Sequence, residues 1–127
     1  MKKIIAIDFD GTIVEDRYPA IGPLKPGAKS VINWLYETGF KVIIWTSRAG
    51  GPLADALQFL SDNGIKYHHV NESCPDNIAQ YGGMDTRKIF ADIYIDDKGL
   101  APLPDDWYTI AGIITDKLKI HYVERTN

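Results

Sequence analysis

The sequence predicts an α/β sandwich, a central parallel sheet with helices on both faces. Two patterns carry that expectation. Apolar runs of strand length alternate with stretches of helical apolar spacing, and the clearest runs end abruptly in polar residues. Strands that alternate with helices pair in parallel through right-handed crossovers, which lay the connecting helices against the sheet. With 127 residues, 45% hydrophobic and 24% charged, the chain can bury one core, so a single domain over 1–127 is expected.

The first element is the apolar run over residues 3–9, which ends in Asp8-Phe9-Asp10-Gly11-Thr12 and reads as a buried strand entering a turn. Ala28, Val31, Ile32 and Leu35 then fall at i, i+3, i+4 and i+7, with Gly39 placed to stop a helix in the left-handed conformation. Residues 40–45 form a second apolar run, too short for a helix and followed by Thr46-Ser47-Arg48. Pro52 stands where a first helical residue would be. Leu53, Ala56, Leu57 and Leu60 repeat the helical spacing, and Gly64 closes the segment. A third strand is expected over 66–70 and another over 92–95, before Asp96-Asp97. Between them only a helical turn over 76–81 is legible. Trp107, Ile110, Ala111, Ile114 and Leu118 mark a last helix.

Ligands of open parallel sheets bind beyond the carboxyl ends of the strands. Those ends are here Asp8-Phe9-Asp10, Thr46-Ser47-Arg48 and Asp96-Asp97-Lys98. Strand periodicity puts Asp8 and Asp10 on one side, and neighbouring strands would bring Asp96 and Asp97 to the same place. Carboxylates so crowded repel unless a cation neutralises them, and an all-oxygen donor set suits Mg²⁺. Carboxylates, a hydroxyl and cations are the equipment of phosphoryl transfer. One carboxylate can act as the nucleophile and a second can handle the proton, roles that fit Asp8 and Asp10 respectively.

The string Asp8-Phe9-Asp10-Gly11-Thr12, with Thr46, Lys88 and Ile93-Tyr94-Ile95-Asp96-Asp97 in that order, resembles the haloacid dehalogenase superfamily of phosphohydrolases over residues 3–98. The resemblance implies a Rossmann-like core and a Mg²⁺-dependent phosphatase working through an aspartyl-phosphate. It makes Asp8 the nucleophile, Asp10 the acid and base, Thr46 a donor to the phosphoryl group and Lys88 the cation that steadies phosphate and nucleophile. It assigns the metal to Asp8, to Asp10 through its backbone carbonyl, and to Asp96 with Asp97 behind it. Gly11, Thr12, Ser47 and Arg48 are the expected substrate-binding residues, Arg48 being a rival to Lys88 as the phosphate-steadying cation. Members of that superfamily usually carry a cap domain, for which this chain has no room. A capless form is expected, covered only by a short hairpin over 15–24. Such an open site suits a phosphorylated macromolecule or an oligomer whose neighbour supplies the lid.

A phospho-accepting signalling domain of the receiver type uses similar residues, but it places its acidic pair after the first strand and its acceptor after a middle one. Here the middle strand ends in Thr46 and the acidic pair comes late. A binding protein that has lost catalysis is the other alternative, although no catalytic position is missing. The net charge of −3 gives no support to nucleic-acid binding. A single cysteine, Cys74, fits a reducing compartment. The apolar start is cut short by Asp8 and Asp10, and no run approaches a membrane span, so a cytoplasmic protein is expected. Asp92, His68, His69, Cys74 and the three tryptophans read as structural residues. The tail over 119–123 reads as an added strand, within the chain or between copies of a homo-oligomer.

Overall fold

The computed structural model describes residues 2–120. In chain order the elements are β1 (Ile4–Ile7), a hairpin of β2 (Val14–Arg17) and β3 (Ala20–Leu24), α1 (Ala28–Glu37), β4 (Lys41–Ile44), α2 (Gly50–Asp62), β5 (His69–Val70), α3 (Pro75–Gln80), β6 (Ile93–Ile95) and α4 (Trp107–Leu118). The four strands β5-β4-β1-β6 form a parallel sheet in that spatial order, flanked by helices. The α/β architecture and the parallel sheet are as the sequence predicts.

The helices cover the two faces unequally. Ile5, Ile7, Val42 and Ile44 point to one side, where they share a core with Val31, Ile32 and Leu35 of α1, Ala56 and Leu60 of α2, and Trp107, Ile110 and Ile114 of α4. Each fully buried aliphatic chain there contributes about 1.5–3 kcal/mol. Ile4, Ala6 and Ile43 point to the other side, where they pack with Cys74 at the start of α3, with Ile89 and Ala91 of the following loop and with the partly buried Trp45. The reason lies in the topology. After β5 the chain returns across the sheet to pair β6 with β1, and a right-handed crossover in that direction must run over the opposite face. Residues 71–92 lack the apolar spacing that would make that crossover a long helix.

Two expectations need adjustment. The third strand is only two residues long. His68 donates its backbone N–H to the Val42 carbonyl, while its ring Nδ1 accepts the Val42 N–H at 3.0 Å. A side chain thus stands where the ladder would supply a carbonyl. The ring also stacks on Tyr36 at 4.2 Å, and burial lowers its pKa. The second helix starts two residues before Pro52, at Gly50. The expected tail strand at 119–123 lies largely outside the described residues. Gly39 does end the first helical segment at φ +102°. None of the described helices is long and apolar enough to cross a membrane.

The register aligns the site. Ile7 lies opposite Ile44 on one neighbour and Ile95 on the other, so the chain leaves three adjacent strands at one level. Asp8 N donates to Ile95 O at 2.9 Å and Trp45 N to Ile7 O at 2.8 Å, which extends the ladders one residue beyond the strands.

Candidate active site

A cavity of about 440 Å³ opens at these strand ends. The end of β1 contributes Asp8 and Asp10, the hairpin Asp16 and Tyr18, the end of β4 Thr46, Ser47 and Arg48, and the end of β6 Asp96 and Lys98. A second cavity of about 400 Å³ lies around Lys2, Lys3, Trp34 and Phe40 and has no carboxylate in its lining. The carboxylates and hydroxyls that converge at the strand ends line the first.

Asp8, Asp96 and Asp97 each bring one carboxylate oxygen to within 4.8 Å of the others, which lets the three hold a metal ion. Burial first, then a side-chain hydrogen bond with Asp97 and the charge of Asp96, push the Asp8 carboxyl up to about 7. Burial also pushes Asp97 upward, but the hydrogen bond from Asp8 and the Lys98 ammonium outweigh it and leave Asp97 below the usual carboxylate range. In the metal-free site Asp8 is thus the more readily protonated of the two and the one placed to donate to Asp97. The other Asp97 oxygen, Oδ1, is buried without a hydrogen-bond partner. A buried anionic oxygen left unmatched is costly, and a hard cation with oxygen preference would satisfy it.

Gly11 and Thr12, expected at the substrate, instead knit the two acidic loops together and do not line the cavity. Gly11 has φ +81°, and a Cβ there would collide with the Asp97 carboxylate, whose Cγ would lie 2.6 Å away. Both the conformation and the close approach require glycine. Thr12 is fully buried, donating its hydroxyl to Asp8 Oδ2 at 3.4 Å and accepting from Asp97 N at 3.1 Å. Its carbonyl accepts from Trp107 Nε1 at 2.9 Å. Trp107, which the sequence marks only as a core or rim residue, thus fixes the acidic turn from beneath. Trp107→Phe is expected to destabilise the protein by about 1–3 kcal/mol, the cost of leaving the buried Thr12 carbonyl unmatched. Urea denaturation is the measurement, and a loss below about 0.5 kcal/mol, the size of an ordinary surface change, would show that the carbonyl finds another donor.

Thr46 Oγ1 accepts from Arg48 N at 3.1 Å, which leaves its own proton for an acceptor in the cavity. Asn71 Oδ1 accepts the Thr46 N–H at 2.8 Å and so holds this turn against the end of β5. The carboxylate of Asp10, whose expected metal contact is through the backbone carbonyl, faces Arg48. Nε donates to Oδ2 at 2.7 Å and Nη2 to Oδ1 at 2.8 Å. Arg48 also donates through Nη1 to Pro19 O at 3.2 Å and Pro52 O at 3.1 Å, and through Nη2 to Ala20 O at 3.0 Å.

Lys88 does not line the cavity. It is exposed, and its ammonium lies 5.2 Å from the centre of the Tyr94 ring. Lys98 faces the cavity, 3.4 Å from Asp97 Oδ2 and 3.8 Å from Asp16 Oδ2. Asp92 lies at the other end of its strand, where Oδ2 accepts Ile4 N at 2.7 Å.

No protein-family model matches the chain, and no curated protein matches it. A solved structure of a conserved protein from Bacteroides thetaiotaomicron is similar at 35% identity, over 92% of this chain and 93% of that one, with a TM-score of 0.80. Identity at that level, over nearly the whole of both chains and on a shared fold, means that the chain belongs to the family of that conserved Bacteroides protein.

Proposed function

We propose that the chain is a Mg²⁺-dependent phosphatase of the haloacid dehalogenase type, without a cap domain, that hydrolyses phosphomonoesters through an aspartyl-phosphate on Asp8. The observation that carries this reading is the convergence of Asp8, Asp96 and Asp97 with an unmatched Asp97 oxygen, beside a second carboxylate, Asp10, in the same cavity. The residues fit the ion: the donor set is all oxygen and comes from two adjacent strand ends. When bound, Mg²⁺ would supply positive charge that frees Asp8 of its proton and draws charge from the phosphoryl oxygens.

In the first step an Asp8 oxygen attacks phosphorus. The bond to the ester oxygen breaks, and that oxygen takes a proton from Asp10 as the alcohol leaves. In the second step water attacks the acyl phosphate while Asp10 takes its proton, which releases inorganic phosphate and restores Asp8. Thr46 donates to the phosphoryl oxygens, and Ser47 lines the same wall. Lys88 is the cation that the resemblance assigns, and it must leave the Tyr94 ring to serve. Lys98 already faces the cavity.

The hairpin β2–β3 is the only cover that the described residues place over this cavity, which supports a capless reading. Nitrophenyl phosphate is the direct test. Phosphate release is expected with Mg²⁺, is expected to disappear in chelator, and is expected to return when Mg²⁺ is restored. Undiminished release in chelator would overturn the metal's part, and absence of release under every metal condition would overturn the phosphatase.

A further inference from the structure

We infer that Arg48 is a positioning residue, a fixed clasp that aims Asp10 and holds the hairpin over the cavity, and that it does not bind the substrate phosphate. The inference rests on the phosphatase reading above for its kinetic part alone. A guanidinium has five N–H donors in a rigid fork. All five are accounted for: two on the Asp10 carboxylate, two on Pro19 O and Ala20 O of the hairpin, and one on Pro52 O of α2. The side chain is 1% exposed. Its guanidinium carbon lies 5.3 Å from the centre of the Phe9 ring and 5.0 Å from that of Tyr18. Two aromatic rings thus pack close to it, one from the acidic turn and one from the hairpin.

A phosphate could use this fork only by displacing Asp10 or a backbone carbonyl, leaving a buried acceptor unmatched. The fork takes one acceptor site on each Asp10 oxygen and leaves the others available to a proton from substrate or water. Its hold on Pro19 O and Ala20 O ties the turn of the hairpin to the base of the site. The hairpin is accordingly a built wall rather than a lid. One residue sets both the direction of the acid–base carboxylate and the height of that wall.

The test compares Arg48→Lys and Arg48→Ala with the wild type, once circular dichroism shows that each variant folds. Without reference to activity, hydrogen exchange of the β2 and β3 amides is expected to speed up at least tenfold, with β1 amides little changed. With Mg²⁺, kcat for an alkyl phosphate is expected to fall about 100-fold, the order expected for a misplaced catalytic group. For nitrophenyl phosphate, which leaves without a proton, the rate of the nitrophenolate burst is expected to stay within about tenfold of the wild type, while the steady rate that follows falls because the second step lacks its positioned base. KM and inhibition by inorganic phosphate are expected to shift less than about threefold, in keeping with an interaction that acts on the reaction rather than on binding. Millimolar guanidinium is expected to restore turnover to Arg48→Ala and not to Asp10→Asn.

Unchanged hairpin exchange would overturn the clasp. Weakened phosphate inhibition with kcat retained would return Arg48 to the substrate. If the wild type hydrolyses no phosphomonoester, the phosphatase reading falls, and hairpin exchange alone decides the clasp.

Discussion

Asp8→Asn is expected to lower turnover by about 10⁵-fold or more, the order seen when an enzyme loses its nucleophile. No choice of substrate should rescue it, because the atom that accepts the phosphoryl group is gone. Asp10→Asn should behave differently. Its loss for an alkyl phosphate is expected at about 10²–10⁴-fold, the usual worth of a general acid or base. With nitrophenyl phosphate the first step survives, and the second lacks its base. The variant should therefore show a burst of nitrophenolate followed by accumulation of phosphoenzyme. Rapid-quench measurement of the burst, with mass analysis of the trapped peptide, is expected to place the phosphate on Asp8. Phosphate on another residue, or equal damage to both substrates, would overturn the assignment of the two carboxylates.

The second large effect is on stability. Asp8 titrates at about 7 in the metal-free fold against an ordinary value of 3.8. Its folded-state pKa is raised, so the folded chain keeps a proton that the unfolded chain has released. The stability this contributes is fully present below about pH 4 and is lost as pH rises through about 7. Asp97 is shifted downward, so its contribution is lost only as pH falls through values below the ordinary carboxylate range. His68, also shifted downward, works against Asp8, since its contribution is lost as pH falls below its unfolded value.

Comparison with Asp8→Asn removes these other groups. Between pH 5 and 8 the metal-free wild type should lose about 1–2 kcal/mol relative to that variant, a figure reduced from the nominal linkage because the cluster opens to water. Saturating Mg²⁺ should reverse the loss, with the rise in Tm larger at pH 8 than at pH 5. Parallel pH profiles for the two proteins would show that Asp8 carries no proton in the folded chain.

What the sequence disclosed follows from where its signals are local. Asp8, Asp10, Thr46, Asp96 and Asp97 stand immediately after apolar runs, and a parallel sheet brings such positions together whatever the loops do. The helices over residues 28–37 and 107–118 were legible from spacing that only a helix uses. A strand over 66–70 was legible too, but its shortness was not, because the His68 ring takes over a backbone pairing there and β5 keeps only His69–Val70. The role of Trp107 depends on a contact with Thr12 across 95 residues. The surroundings of Arg48 depend on carbonyls that Pro19, Ala20 and Pro52 expose only once the hairpin and α2 are placed. Backbone acceptors carry no residue signature, so no reading of side chains could have found them. The positions of Lys88 and Lys98 are of the same kind, since both lysines lie outside the regular elements.

The central place of β1 between β4 and β6 sets an order of events during synthesis. At ordinary elongation rates of about 5–20 residues per second, Asp8 leaves the ribosome several seconds before its acidic partners exist. Arg48 lies only 38 residues after Asp10, so that ion pair can form on a half-made chain. Thr12 must wait for Asp97, 85 residues later. Until then one edge of β1 has no neighbour and is open to pairing with other chains, the usual hazard of an uncovered strand. The nascent protein thus closes its sheet and brings Asp8 together with Asp96 and Asp97 in one late step, and a chain stopped before residue 93 would carry Asp8 without those two carboxylates.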